Sequence, residues 1–206
     1  MLFRSTAAGL WFAALPEDQR PEVLLSSPYL RARQTAEAIC AAGGLGGNSK
    51  PTVLDERLRE REFGVFDGLT PLGIAEKYPE EAAHRANLGK FYHRAPGGES
   101  WADVILRLRS ALNTINLQFA GKRVLVVGHQ VVVMCLRYIL EELTEEELMA
   151  LNKQGEVLNC GISAFDFDTT DRRFGKPKLA LWNLGAPMDQ AGAEQTSAPD
   201  LMAGSR

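Results

Sequence analysis

Apolar residues return along this chain in two rhythms. In "ESWADVILRLRSALNTINLQFA" (99–120), Trp101, Ile105, Leu108, Leu112, Ile115 and Phe119 recur at three- and four-residue steps, which predicts an amphipathic helix. By contrast "EVLLSS" (22–27), "TVLDERL" (52–58) and "RVLVVG" (123–128) are short apolar runs of the kind that form buried strands. "ISAFDFD" (162–168) and "LALWN" (179–183) read as two more strands. Helical stretches separate them. One covers 5–15, and one starts after Ser27, a capping oxygen, with Pro28 at the first helical position, and runs through "YLRARQTAEAICAA". Two more cover 130–142 and 144–153, and residues 69–98 form a polar, helical excursion. Alternating helix and apolar strand predicts an α/β fold: a three-layer α/β/α arrangement around a mainly parallel sheet. Without repeats or an interdomain linker, residues 1–186 read as a single domain, and the small, polar 187–206 segment as a disordered tail.

Composition narrows the function classes. The chain has 206 residues, a formal net charge of −3 and a pI near 5.7, which argues against nucleic-acid or membrane-surface binding. No apolar run has the length that spans a bilayer. Residues 1–20 lack the long apolar core of a signal peptide and read as helix. Cys40, Cys135 and Cys160 are widely spaced on apolar segments. That pattern fits a reducing, cytoplasmic compartment and argues against a disulfide framework or a zinc site.

In open α/β sheets, ligands bind beyond the carboxyl ends of the strands. After strand 22–27 comes Arg31, after 52–58 come Glu60 and Arg61, and after 123–128 comes His129 at the mouth of a helix. Guanidinium groups and helix N-termini suit phosphate oxygens. A carboxylate and an imidazole beside them are acid and base candidates. The residues alone point to a phosphate-ester site. Arg33, two residues after Arg31, faces away on a helix; Glu99 either approaches the site or opens its helix; Asn159 closes a turn.

The segments "SSPYLRARQTA" (26–36), "LREREFG" (58–64), "PGGESW" (96–101) and "VLVVGHQ" (124–130), in this order, resemble the histidine phosphatase superfamily, in its phosphoglycerate-mutase-like branch. The resemblance implies phosphoryl transfer through a phosphohistidine. Arg31 would clamp the phosphate with Arg61 beside it, His129 would stabilise its charge, and Glu60 would protonate the leaving oxygen and then activate water. Positioning and charge stabilisation suffice for such chemistry, so no metal or other cofactor is implied. The expected partner is a phosphorylated small molecule or inorganic phosphate.

One element departs from the family pattern: the sequence holds no Arg-His-Gly, the motif that carries the nucleophile at the end of the first, central strand. His84 and His93 lie in the polar excursion, His84 as a solvated helix residue and His93 as a flank of the substrate mouth. "LFRST" (2–6) has no histidine and leaves too little chain before Ser26 for strand, crossover helix and strand, which take about 30 residues. The expectation is therefore an N-terminally truncated phosphomonoester hydrolase without its central strand, inactive as the chain stands. Two alternatives differ in class. A phosphoglycerate mutase ranks lower because the excursion offers only Arg85 and Arg94, apart in sequence. A non-catalytic protein that binds a phosphorylated ligand or a partner would keep Arg31, Arg61 and His129 without the nucleophile.

Overall fold

The computed structural model describes residues 2–45, 52–167 and 177–185, together with Pro187 and Gly192. They fall into two compact units. One gathers the described residues up to Arg59, Ala111–His129 and those from Val157 onward; the other gathers Glu60–Ser110 and Gln130–Glu156.

The first unit is built on a parallel sheet. β1 (Val23–Ser26) is its middle strand, between β2 (Val53–Leu54) and β3 (Val124–Val127). Leu25 pairs with Val53 on one side and Val126 on the other, and Ser26 with Leu54 and Val127. Leu24, Leu25 and Ser26 are buried, as a strand with two neighbours should be. In β3 only Val127 is buried. The last two strands, β4 (Ile162–Asp166) and β5 (Lys178–Leu184), run antiparallel in a ladder of their own. Among the described residues β3 pairs only with β1 and β4 only with β5, so no described strand joins the two ladders.

The segment 52–58, read as one strand, pairs only through Val53 and Leu54. Asp55 then takes over: its carboxylate accepts from Arg57 N at 2.8 Å and from the Arg57 guanidinium at 2.6 and 2.9 Å, starting a 3-10 turn over Glu56–Leu58. A local side-chain acceptor has outcompeted the ladder.

Helix α1 (Leu2–Ala14) begins three residues earlier than its apolar pattern suggests, so "LFRST" is helical. Arg4 is buried, and its Nε donates to the Asn159 carbonyl at 2.8 Å. Asn159 does lie in a turn. α1 packs on α2 (Leu30–Gly43) through glycines: a Cβ on Gly9 would sit 2.6 Å from the Ile39 carbonyl, and one on Gly43 2.9 Å from the Gly9 carbonyl. Ala7, Ala8 and Phe12 of α1 join Leu24, Ala32, Ala36, Ile39 and Val127 in the core of this unit. Burying one such Phe is worth about 1.5–3 kcal/mol.

The second unit contains α3 (Pro71–Lys77), α4 (Pro79–Leu88), α6 (Gln130–Leu140) and α7 (Glu145–Gln154). It also holds the first turns of α5 (Trp101–Gln118). Ser100, not Glu99, closes the start of α5, its hydroxyl accepting from Asp103 N at 3.2 Å. Trp101, Val104 and Leu108 are fully buried. α7 opens with a capping box between Thr144 and Glu147. Phe66, Ile74 and Ala95 form a small core under the excursion. No described helix is long and apolar enough to cross a membrane.

Candidate functional site

In the first unit the chemistry gathers where β1 and β3 end. The register Ser26↔Val127 places the residues that follow each strand side by side. Ser27 N donates to the Val127 carbonyl at 2.9 Å, and Ser27 Oγ lies 2.8 Å from His129 Nε2. His129 is 9% exposed, and its ring meets the Tyr29 ring edge-on, with centroids 5.3 Å apart. The Arg31 guanidinium lies over the same Tyr29 ring: its Cζ is 4.9 Å from the centroid, while the side chain stays exposed. Tyr29 thus touches two of the three residues that the sequence marks for phosphate, Arg31 and His129. Ser27 was expected to cap the helix with Pro28 at its first position. Instead α2 starts at Leu30 behind Tyr29, which makes no side-chain cap, and the Ser27 hydroxyl serves His129 and Tyr29 N (3.3 Å). Arg33 is exposed on α2.

In the second unit, "LREREFG" and "PGGESW" lie zipped together. Glu99 N donates to the Glu62 carbonyl at 2.8 Å, Glu62 N donates back to Glu99 Oε2 at 3.1 Å, and Phe63 bridges to Gly98. Gly64 has φ 57° and a Cβ there would lie 2.2 Å from the Pro96 carbonyl, so the approach requires glycine. Glu99 is held by a bidentate Arg107 at 2.9 and 3.0 Å. Glu60 Oε1 accepts from Arg61 N at 2.9 Å.

Behind this zipper Arg61, Phe63, Arg85, Lys90, His93 and Glu99 line one pocket. Arg61 is 8% exposed and its Cζ lies 4.6 Å from the Phe63 ring centroid. Its Nε, and Nζ of Lys90, are buried with no hydrogen-bond partner among the described residues. Lys90 faces the Trp101 ring at 5.5 Å. Burial, with Arg61 and Arg85 nearby, pushes the Lys90 ammonium down to about 7. Burial, with Arg85 nearby, lowers Arg61 to about 10, partly offset by Glu60. Burial also lowers Arg85. Arg61 Nε and Lys90 Nζ are thus buried donors whose desolvation is costly without a partner, and an anion is a group that could satisfy them. His93 is 4% exposed, stacked on Phe66 at 5.7 Å and 7°.

Comparison with known proteins names the lineage. A sequence model of the histidine phosphatase superfamily (branch 1) matches residues 6–183. The chain belongs to this superfamily. It is similar to a bifunctional protein of Mycobacterium tuberculosis, 38% identical over 119 residues that make up 57% of this chain and 31% of that protein. It is also similar to human 6-phosphofructo-2-kinase/fructose-2,6-bisphosphatase 3, 40% identical over 114 residues, 55% of this chain and 19% of that protein. The matched part thus spans a third or less of either relative. Among solved structures, native mycobacterial glucosyl-3-phosphoglycerate phosphatase superposes with a TM-score of 0.68 at 26% identity, covering 88% of this chain and 85% of that one.

The superfamily's four sequence-marked residues thus divide evenly: Arg31 and His129 share Tyr29 in the first unit, and Glu60 and Arg61 are neighbours in the second. Sequence reasoning missed Lys90 and the grouping of Arg85 with Arg61. It weighed Arg85 beside Arg94 as two separated arginines. In the fold Arg94 turns to Asp103, with its Nε donating at 2.8 Å, and Arg85 joins Lys90 and Arg61 instead. No spacing signal marks that trio, because a turn at Gly89, not a helical period, brings its members together.

Proposed function

We propose that this chain is the phosphate-ester domain of a phosphomonoesterase whose substrate carries an additional anionic group, a phosphate or a carboxylate. The observation that carries the reading is the pair of buried, unpartnered cationic nitrogens, Arg61 Nε and Lys90 Nζ, in a histidine phosphatase. The family resemblance assigns the reacting phosphoryl group to Arg31, Arg61 and His129, with Glu60 as proton donor to the leaving oxygen and then base for water; the pocket that Arg61 shares with Arg85 and Lys90 moves it here to the additional anionic group. Arg61, Arg85 and Lys90 take an anionic group of the substrate. The names of two similar proteins fit such a substrate: one is a fructose-2,6-bisphosphatase, the other a glucosyl-3-phosphoglycerate phosphatase.

The nucleophile belongs to an Arg-His-Gly strand that these 206 residues do not contain. We propose that residues 1–186 are one catalytic domain that lacks this strand, and that a form extended upstream of Met1 restores turnover. The half-buried β3 and the separate β4–β5 ladder support this reading. The test is hydrolysis of p-nitrophenyl phosphate and of a sugar bisphosphate by this chain and by the extended form. Turnover by the extended form alone, with a preference for the bisphosphate, is the expected result. Phosphate binding without turnover in both forms would replace the enzyme reading by a phospho-ligand-binding protein. Conversion of a monophosphate into its isomer would replace it by a mutase.

A further inference from the structure

A second cluster shares only His93 with the basic pocket. Glu81 and His84 stand three residues apart on α4 and so share a helix face. The chain turns at Gly89 (φ 85°), where His93 N donates to the Gly89 carbonyl at 3.0 Å, and His93 returns to that face. Its Nε2 lies 3.2 Å from Glu81 Oε2 and its ring meets the His84 ring edge-on at 5.5 Å. One ligand atom from each of the three residues lies within 4.8 Å of the others.

We propose that Glu81, His84 and His93 form a site for a divalent transition-metal ion of the zinc type. One carboxylate and two imidazoles are a ligand set that zinc takes, with a fourth position left for water. The edge of a tetrahedron with metal bonds of about 2.0 Å is about 3.3 Å, close to the spacing Glu81 and His93 already hold. His93 is fixed by stacking on Phe66, so it loses little freedom on binding. His84 is exposed, and its ring already lies beside that of His93. Arg85 acts electrostatically on His93 and opposes a cation, and the Glu81 carboxylate offsets it. His93 also lines the basic pocket, so an ion here adds positive charge beside it. The three scattered cysteines argue against a zinc site of their own, and this site uses none of them.

Calorimetric titration of the purified chain with Zn²⁺ tests the proposal. One ion per chain is expected, with affinity reduced about tenfold or more in His84→Ala and in Glu81→Gln. Both changes lie on partly or fully exposed positions of α4, and an unchanged Tm in the metal-free state shows that the fold is kept. With Co²⁺, the absorption spectrum should lack a thiolate-to-cobalt band, which separates this site from Cys40, Cys135 and Cys160. Failure to take up Zn²⁺ overturns the proposal. So does uptake that His84→Ala leaves unchanged, and so does a thiolate band.

Discussion

His129 Nε2 and Ser27 Oγ share a hydrogen bond of 2.8 Å across 102 residues of sequence. The parallel register of β1 and β3 creates it, since each residue stands just past the end of its strand. Ser27→Ala removes the partner while the backbone bond from Ser27 N to Val127 O persists. The expected stability loss is about 1 kcal/mol in urea unfolding. The His129 ring nitrogen shifts in an NMR spectrum should change with it; unchanged shifts would show that the ring is held by other groups.

Arg31→Ala should weaken phosphate or vanadate binding by about tenfold to a hundredfold, the worth of one to two charge-assisted hydrogen bonds. Because the Arg31 side chain is exposed and its guanidinium rests on the Tyr29 ring, Tm should barely change. Calorimetry with orthovanadate, run beside a thermal melt, separates the two effects. Equal affinity in the variant would remove Arg31 from the site.

Lys90 gives a pH signature. Its folded pKa of about 7 lies below the ordinary lysine value of 10.5, so between these the unfolded chain holds more protons than the folded one. Stability therefore rises with pH across that window, and below about 7 the full cost of burying the ammonium remains. Lys90→Met should raise Tm at pH 7, with the gain shrinking toward pH 10. Phosphate should narrow the gap by stabilising the protonated wild type more than the variant. A gain independent of pH and phosphate would assign the effect to packing.

Gly64→Ala should cost about 3 kcal/mol or more, because it combines a left-handed backbone with a clash against the Pro96 carbonyl. Gly68 has φ 70° but open space around its Cβ, so Gly68→Ala carries the conformational cost alone, about 1 kcal/mol. Urea midpoints of the two variants give the comparison. Equal losses would show that the contact between the two zipped motifs relaxes freely.

The local pattern determined the most about the helices and strands. Trp101, Ile105 and Leu108 announced α5, and "VLVV" announced β3, because burial on one face or two leaves a periodic trace in the chain. The family motifs likewise marked Arg31, Glu60, Arg61 and His129 from sequence. The ends of elements were less legible. Asp55 halted β2 and Ser27 left its capping position for His129, since a short polar side chain can bond either its own backbone or a distant group.

The basic pocket and the Glu81–His84–His93 cluster were decided by the tertiary structure alone. Both depend on a turn at Gly89, and the pocket also on the zipping of residues 62–65 against 96–99, contacts that carry no period and no shared composition. Whether a lysine is an ordinary solvated cation or a buried one held near pH 7 is settled by what the fold packs around it. The chain's order of residues supplied the charges; the loss of water around Arg61 and Lys90 gave them their chemistry.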